Sequence, residues 1–189
     1  MSKKRLGFAL CGSFCTFREV IDQLSKLSKN YEITPIMSFN ASNLDTRFGR
    51  ALDFVEELEQ ICGRPVLRTI QDTEPIGPKD MFDLLVVAPC TGNTLAKLAA
   101  SITDTPVTMA VKSHLRGAKP VLLAVSTNDA LSGSAKNLGT LLNLRHYYFV
   151  PMRQDNPTQK PNSLVARFDL LEEAIESALK EKQMEPLFR

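Results

Sequence analysis

The run PCTGNT, Pro89 to Thr94, lies between an aliphatic stretch and the small-residue run LAKLAAS. Packing gives no reason for such a sequence at that point. A proline that ends a strand, a glycine that admits close backbone approach, and Thr91, Asn93 and Thr94, which both give and accept hydrogen bonds, suit a turn that holds a ligand. Related chemistry recurs after other apolar runs. Gly12 and Ser13 follow RLGFAL; Ser38 and Asn40 follow YEITPIM; Ser126, Thr127 and Asn128 close PVLLAVS. Arg47, in the segment DTRFG, carries a planar fork that matches a carboxylate or a phosphate. Hydroxyls and free helix N–H groups suit an anion, and a side-chain amide such as that of Asn128 suits the edge of a heterocycle. Together they describe a site for a phosphorylated cofactor.

Each cluster also has a plainer reading. Ser13 or Thr16 would cap the next helix, Thr91 or Asn93 would do the same after the aliphatic run, and SFNASNLDTRFG would be an exposed loop of turn formers. Asp104 is read as the cap of the helix that begins after Thr105. One polar strand end is unremarkable. Their recurrence on the same predicted edge favours the ligand.

Other chemistry is missing. The cysteines, Cys11, Cys15, Cys62 and Cys90, have no zinc-like spacing, so no metal site is expected. Cys90 has no histidine nearby in its motif to activate it as a nucleophile; it, Cys11 and Cys15 read as small buried thiols. His114, on a helix, and His146, at the start of the last strand, read as surface or packing groups. HExxH, GxSxG and Walker A patterns are absent, and Gly12 lacks the further glycines of a dinucleotide fingerprint. With no acid–base pair evident, a bound cofactor is the economical carrier of the chemistry.

The elements that must position these residues alternate. Strands are expected at Arg5–Ser13, Tyr31–Phe39, Pro65–Ile70, Asp83–Pro89, Pro120–Ser126 and Tyr147–Pro151, with Pro89 ending its strand. Helices are expected at Phe17–Lys29 and Arg50–Gly63, the latter closed by Gly63, and in TLAKLAASI, TPVTMAVKSHLRG, SAKNLGTLLNLR and LLEEAIESALKEK. DLLVVAP and PVLLAVS are continuous apolar runs, the pattern of strands covered on both faces. The fold class is therefore α/β: a Rossmann-like three-layer α/β/α sandwich with a mostly parallel sheet. Ligands of such folds lie beyond the carboxyl ends of the strands. The chain reads as a single domain over 1–189, with a loop at Pro151–Ser163 and a C-terminal helix.

The totals agree. The 189 residues suffice to bury a core without disulfides, and the 43% apolar content is ordinary for a globular protein. A net charge of +2, with no basic block beyond KKR, weighs against nucleic acid. No apolar run reaches the roughly 20 residues that span a bilayer, and no secretory leader is evident. A reduced, cytoplasmic chain without membrane contact is expected.

These residues resemble a known family. PCTGNTLAKLAASITD is similar to the PASANT motif of the flavoproteins that include peptidyl-cysteine and phosphopantothenoylcysteine decarboxylases. VSTND is similar to that family's PxMN motif, with Asn128 in the asparagine place, and CGS to its phosphate-proximal turn. The likeness runs from Leu6 to about Val150. It implies FMN at the interfaces of trimers or larger homo-oligomers. Gly12 and Ser13 would lie near the phosphate, and Ser38 near phosphate or ribityl, with Asn40 in the same cluster. Pro89, Cys90, Thr91, Asn93 and Thr94 would lie near the flavin, with Ser126, Thr127 and Asn128 across from it.

Two departures are informative. No histidine occurs between Met1 and Ser113, where the decarboxylases use one, and Thr127 stands where PxMN has methionine. SFNASNLDTRFG, APCTGNTLAKLA and QDNPTQKPNSLVA instead resemble a branch of the family whose members form one half of a two-component oxidoreductase. That branch implies oxidation of a dihydropyridine dicarboxylate in sporulation. It also implies NADP carried by the partner protein, with Arg47 a candidate for a substrate carboxylate or flavin phosphate. Two rivals stand beside it: an FMN-dependent decarboxylase of a cysteine-containing substrate, and an assembly module that kept the fold without catalysis.

Overall fold

A computed structural model describes residues 3–189. In chain order it contains β1 (Arg5–Leu10), α1 (Phe17–Leu27), β2 (Glu32–Met37), α2 (Phe39–Asn43), α3 (Ala51–Cys62), α4 (Ile70–Thr73), β3 (Leu84–Cys90), α5 (Gly92–Ala99), α6 (Pro106–Leu115), β4 (Val121–Thr127), α7 (Ala135–Leu142), β5 (Tyr147–Phe149), β6 (Met152–Arg153), β7 (Leu164–Ala166) and α8 (Leu171–Ala178).

The sheet order is β2-β1-β3-β4-β7-β6, with β5 also on β4. The pairs β1–β2, β1–β3, β3–β4 and β4–β5 are parallel; β4–β7 and β6–β7 are antiparallel. Side chains alternate across this sheet as strand pleating requires. Leu6, Phe8 and Leu10 face one core layer with Leu84, Val86, Leu122 and Ala124, covered by α1, α3 and α8. Ala9, Leu85, Val87, Leu123 and Val125 face the other, under α5, α6 and α7. Burying one such large side chain contributes about 1.5–3 kcal/mol, so the two layers fix the register of the central strands. The three-layer α/β sandwich and its mostly parallel sheet are as the sequence predicts, and Gly63 caps α3 in the left-handed region, with φ 63°. Among the described residues no helix is long and apolar enough to cross a membrane.

Several expectations are corrected. Pro65–Ile70 is not a regular strand. Only Leu67 bridges β2, exchanging hydrogen bonds with Met37 and Pro35 at 3.0 and 2.9 Å. From Thr69 a capping box with Asp72 starts α4 and turns the backbone away. Pro89 does not end its strand; it lies inside β3, at a register shift between Val87 and Cys90. The shift sends Ala88 and Cys90, two positions apart, to opposite core layers. Asp104 does not cap α6. Thr105 does, in a capping box with Thr108, and Asp104 pairs instead with Lys97 at 2.8 Å. Met152 and Arg153 form β6 inside the segment expected to be loop throughout.

Candidate functional site

The carboxyl ends of β1, β3 and β4 meet at a cleft of about 250 Å³, lined by Gly12, Ser13, Cys15, Thr16, Thr91, Ser126, Thr127, Asn128, Asp155, Lys160, Ser163 and Val165. Three turns build it. After β1 the chain makes a tight turn, in which the Ser13 N–H bonds Cys11 O at 2.9 Å and the Thr16 hydroxyl donates to Ser13 O at 2.8 Å. Neither Ser13 nor Thr16 caps the following helix with its side chain. The Ser13 hydroxyl instead lies 3.0 Å from that of Ser126, across the sheet.

After β3, Thr91 does cap α5: its hydroxyl accepts from Thr94 N–H at 3.3 Å and donates to the Thr94 hydroxyl at 3.2 Å. Thr94 in turn donates to the Cys11 sulfur at 3.2 Å. This chain of bonds locks the ends of β1 and β3 together. Gly92 is required here. A Cβ at that position would sit 2.6 Å from Thr127 Oγ1 and 2.9 Å from both Asp129 Oδ1 and Ser134 Oγ. Only glycine lets the start of α5 reach the turn after β4.

That turn is held by Asp129, which accepts from the Thr127 hydroxyl at 2.6 Å and the Ser134 hydroxyl at 2.9 Å. Those bonds hold its carboxyl below the ordinary aspartate range and leave Asn128, between its anchors, exposed at the cleft.

The fourth wall is not legible in the sequence as part of the site. β7 pairs antiparallel with the tip of β4, Ser126 to Val165 and Thr127 to Leu164. This brings Asp155, Lys160 and Ser163 into the cleft. Lys160 donates to Asp155 at 2.8 Å. The one signal is the polarity of QDNPTQKPNS, which reads equally as solvent-facing loop. Cys15, expected to be buried, is exposed and lines the cleft; Phe17 instead enters the core, with Phe14 packed against it at 5.2 Å between ring centroids.

The sequence-chosen residues thus fall into groups. Gly12, Ser13, Thr91, Ser126, Thr127 and Asn128 line one cleft. Pro89, Cys90 and Thr94 are buried behind it. Ser38 is tied up as the cap of α2, accepting from Ala41 N–H at 3.3 Å. Asn40 stands beside the first turn, its Cβ 3.9 Å from where a Cβ on Gly12 would be. Asn93 is exposed on α5, and Arg47 lies outside the cleft with its guanidinium 4.9 Å over the Phe48 ring.

No side chain lining the cleft is a histidine, and Cys11 and Cys90 offer no nucleophile: burial pushes the Cys11 thiol up to about 11 and that of Cys90 well above its ordinary value. His114 is buried away from the cleft, its Nε2 3.0 Å from Pro120 O, and desolvation lowers it to about 4. What remains is a set of neutral hydroxyls, an amide and the exposed Cys15 thiol, with the one carboxylate taken up by Lys160. That donor set fits a flavin nucleotide. Ser13 and Ser126, which share one hydrogen bond, keep a hydroxyl proton for a phosphate oxygen; Thr16 and Thr91, whose protons go to Ser13 O and the Thr94 hydroxyl, can accept from ribityl hydroxyls; and Asn128 offers a donor and an acceptor to a ring edge.

The flavoprotein family model matches residues 1–169. The B subunit of dipicolinate synthase from Bacillus subtilis (strain 168) is 43% identical over 185 residues, 97% of this chain and 92% of that protein. The crystal structure of the corresponding B subunit from Bacillus halodurans is 41% identical, covers 98% of this chain and 96% of its own, and superimposes with a TM-score of 0.90. Burkholderia xenovorans DmrB, solved in complex with FMN and described as a cubic protein cage for redox transfer, shares the fold: 19% identity, TM-score 0.68, 94% of this chain and 96% of that one.

Proposed function

The chain belongs to the flavoprotein family, and we propose that it is the B subunit of a dipicolinate synthase, acting with the dipicolinate synthase A subunit to oxidise a dihydrodipicolinate-type precursor to dipicolinate in sporulation. The observation that carries this reading is the likeness to the two Bacillus dipicolinate synthase chains along nearly its whole length. The cleft supports it, because its lining suits FMN and holds no histidine that would recommend a decarboxylase.

Aromatising a dihydropyridine removes two electrons and two protons, and a flavin, when bound, supplies the two-electron acceptor. This chain's part is placement. Ser13 and Ser126 fix the anion end, Asn128 orients the ring edge, and Asp129 holds Asn128 in place. NADP is assigned to the A subunit.

The cleft is smaller than the roughly 300–1,000 Å³ usual for small-molecule sites, and an exposed apolar group lies on the segment that follows β2: Phe39 (41%), Leu44 (49%), Phe48 (42%) and Leu52 (57%). Both features support a homo-oligomer, a trimer or larger, in which a neighbouring copy covers this segment and closes the site. Arg47, beside Phe48, would then face the neighbour's cleft. A cytoplasmic location, in the mother cell, follows from the same reading.

The test is to purify this chain and the A subunit, each by itself, and then the two together. The expected result is flavin released from this chain on denaturation, and dipicolinate formed from the dihydro precursor only by the mixture. A colourless chain that releases no flavin in either preparation removes the cofactor assignment. Full activity of the isolated A subunit removes the functional one.

A further inference from the structure

We propose that Lys160 is the specificity-determining cation of the cleft, and that Asp155 holds its place until a carboxylate of the substrate takes over the ammonium group. This rests on the reading of the substrate as a pyridine dicarboxylate.

A dicarboxylate brings two further negative charges to a cleft whose hydroxyls and amide are neutral, and a cation on its rim offsets one of them. Ser13, Thr16, Thr91, Ser126, Thr127 and Asn128 are all neutral, and Lys160 is the one cation among the described residues that line the cleft. It arrives there by a specific route. β7 runs antiparallel along the tip of β4, and the Leu131 N–H bonds Asn162 O at 2.9 Å, so the loop from Gln154 to Ser163 is tied to the same turn that carries Asn128.

The loop is braced within itself. Lys160 N–H bonds Asn156 O at 2.7 Å, Gln159 N–H bonds the Asn156 side chain at 2.9 Å, and the Gln154 amide bonds Pro161 O at 2.7 Å. The ammonium is therefore presented at a defined point rather than on a loose tether. Its partner Asp155 also draws on Ser163, and those contacts hold the Asp155 carboxyl below its ordinary range. The pair is partly solvated, with side-chain exposures of 53% and 30%. Such pairs are worth little, so replacing the Asp155 oxygen by a ligand oxygen is close to neutral for the ammonium. A rim pair of this kind keeps the cation charged and placed while leaving it free to change partners.

The test uses the full-length chain with FMN added and pyridine-2,6-dicarboxylate as the probe, followed by calorimetry, with uncharged pyridine as the reference. The wild-type protein should bind the dicarboxylate and not pyridine. Lys160→Gln should weaken dicarboxylate binding by about three- to tenfold, since the pair is partly solvated and the unpaired Asp155 then faces the dianion, with FMN affinity unchanged. Lys160→Arg should restore most of the loss, and Asp155→Asn should bind the probe at least as tightly as wild type. If Lys160→Gln binds the dicarboxylate as wild type does, the proposal is wrong while the functional reading stands. If Lys160→Gln weakens FMN but not riboflavin, the ammonium serves the phosphate and the proposal is equally overturned. A wild-type protein that binds FMN but no dicarboxylate removes the substrate reading and this proposal with it.

Discussion

The hydroxyls of Ser13 and Ser126 lie 3.0 Å apart although 113 positions separate them in the chain. One ends the turn after β1 and the other lies near the tip of β4, with β3 between their strands. Neither is used as a helix cap. The contact marks the point where separate strand ends converge on a shared space.

Removing either hydroxyl should therefore affect ligand more than fold. Ser13→Ala or Ser126→Ala should weaken FMN binding by about five- to tenfold and cost at most about 1 kcal/mol of stability, since the partner hydroxyl still faces the open cleft. The double variant should lose less than the sum, because the two groups act together. Flavin-fluorescence titrations beside urea unfolding check this.

Gly92→Ala should do both kinds of damage. Its Cβ would meet Thr127, Asp129 and Ser134 at 2.6 to 2.9 Å, and the start of α5 would have to back away from the turn that carries Asn128. A destabilisation of about 1–3 kcal/mol is expected, together with loss of retained flavin. Denaturant midpoints and flavin content of the purified variant measure the two effects separately.

Thiol labelling should single out Cys15. It is exposed at the cleft, whereas Cys11 and Cys90 are buried and Cys62 is pushed up to about 12, chiefly by desolvation. In mildly alkaline buffer, N-ethylmaleimide should modify Cys15 first, as read by peptide mass spectrometry, and added FMN should slow that reaction. Equal labelling with and without flavin would place the ligand elsewhere.

His114 predicts an acid-side loss of stability. Desolvation lowers its folded-state value to about 4, against about 6.5 in the unfolded chain. The unfolded state thus binds the extra proton between those values, so the stabilisation is complete above about pH 6.5 and is lost as pH falls toward about 4, by an amount on the order of 3 kcal/mol. Urea midpoints at neutral pH and near the folded-state value should differ for the wild type. The difference should shrink in His114→Gln, which keeps an N–H donor but does not titrate.

The contrast between what could and could not be read from the chain is physical. Leu84 to Val87 and Val121 to Val125 announce buried central strands because both faces must be apolar. Thr91 and Gly92 announce a turn because few residues tolerate those positions. The segment near Leu67 misleads because its apolar residues pack from an edge while Thr69 and Asp72 make a stronger local bond set. β6 and β7, of two and three residues, are too short for any periodicity to register. Cys15 misleads because a thiol's burial depends on which way a tight turn faces. Lys160 reaches the cleft only through pairing with β4, a contact between distant segments that no local pattern encodes.

β4 offers the same edge twice, first to β5 through Val121 to Leu123 and then to β7 through Ser126 and Thr127. The lower stretch carries the fold, and the upper one carries a wall of the cleft. Because that wall hangs from so brief a ladder, its amides should exchange with solvent far sooner than those of the strand beneath.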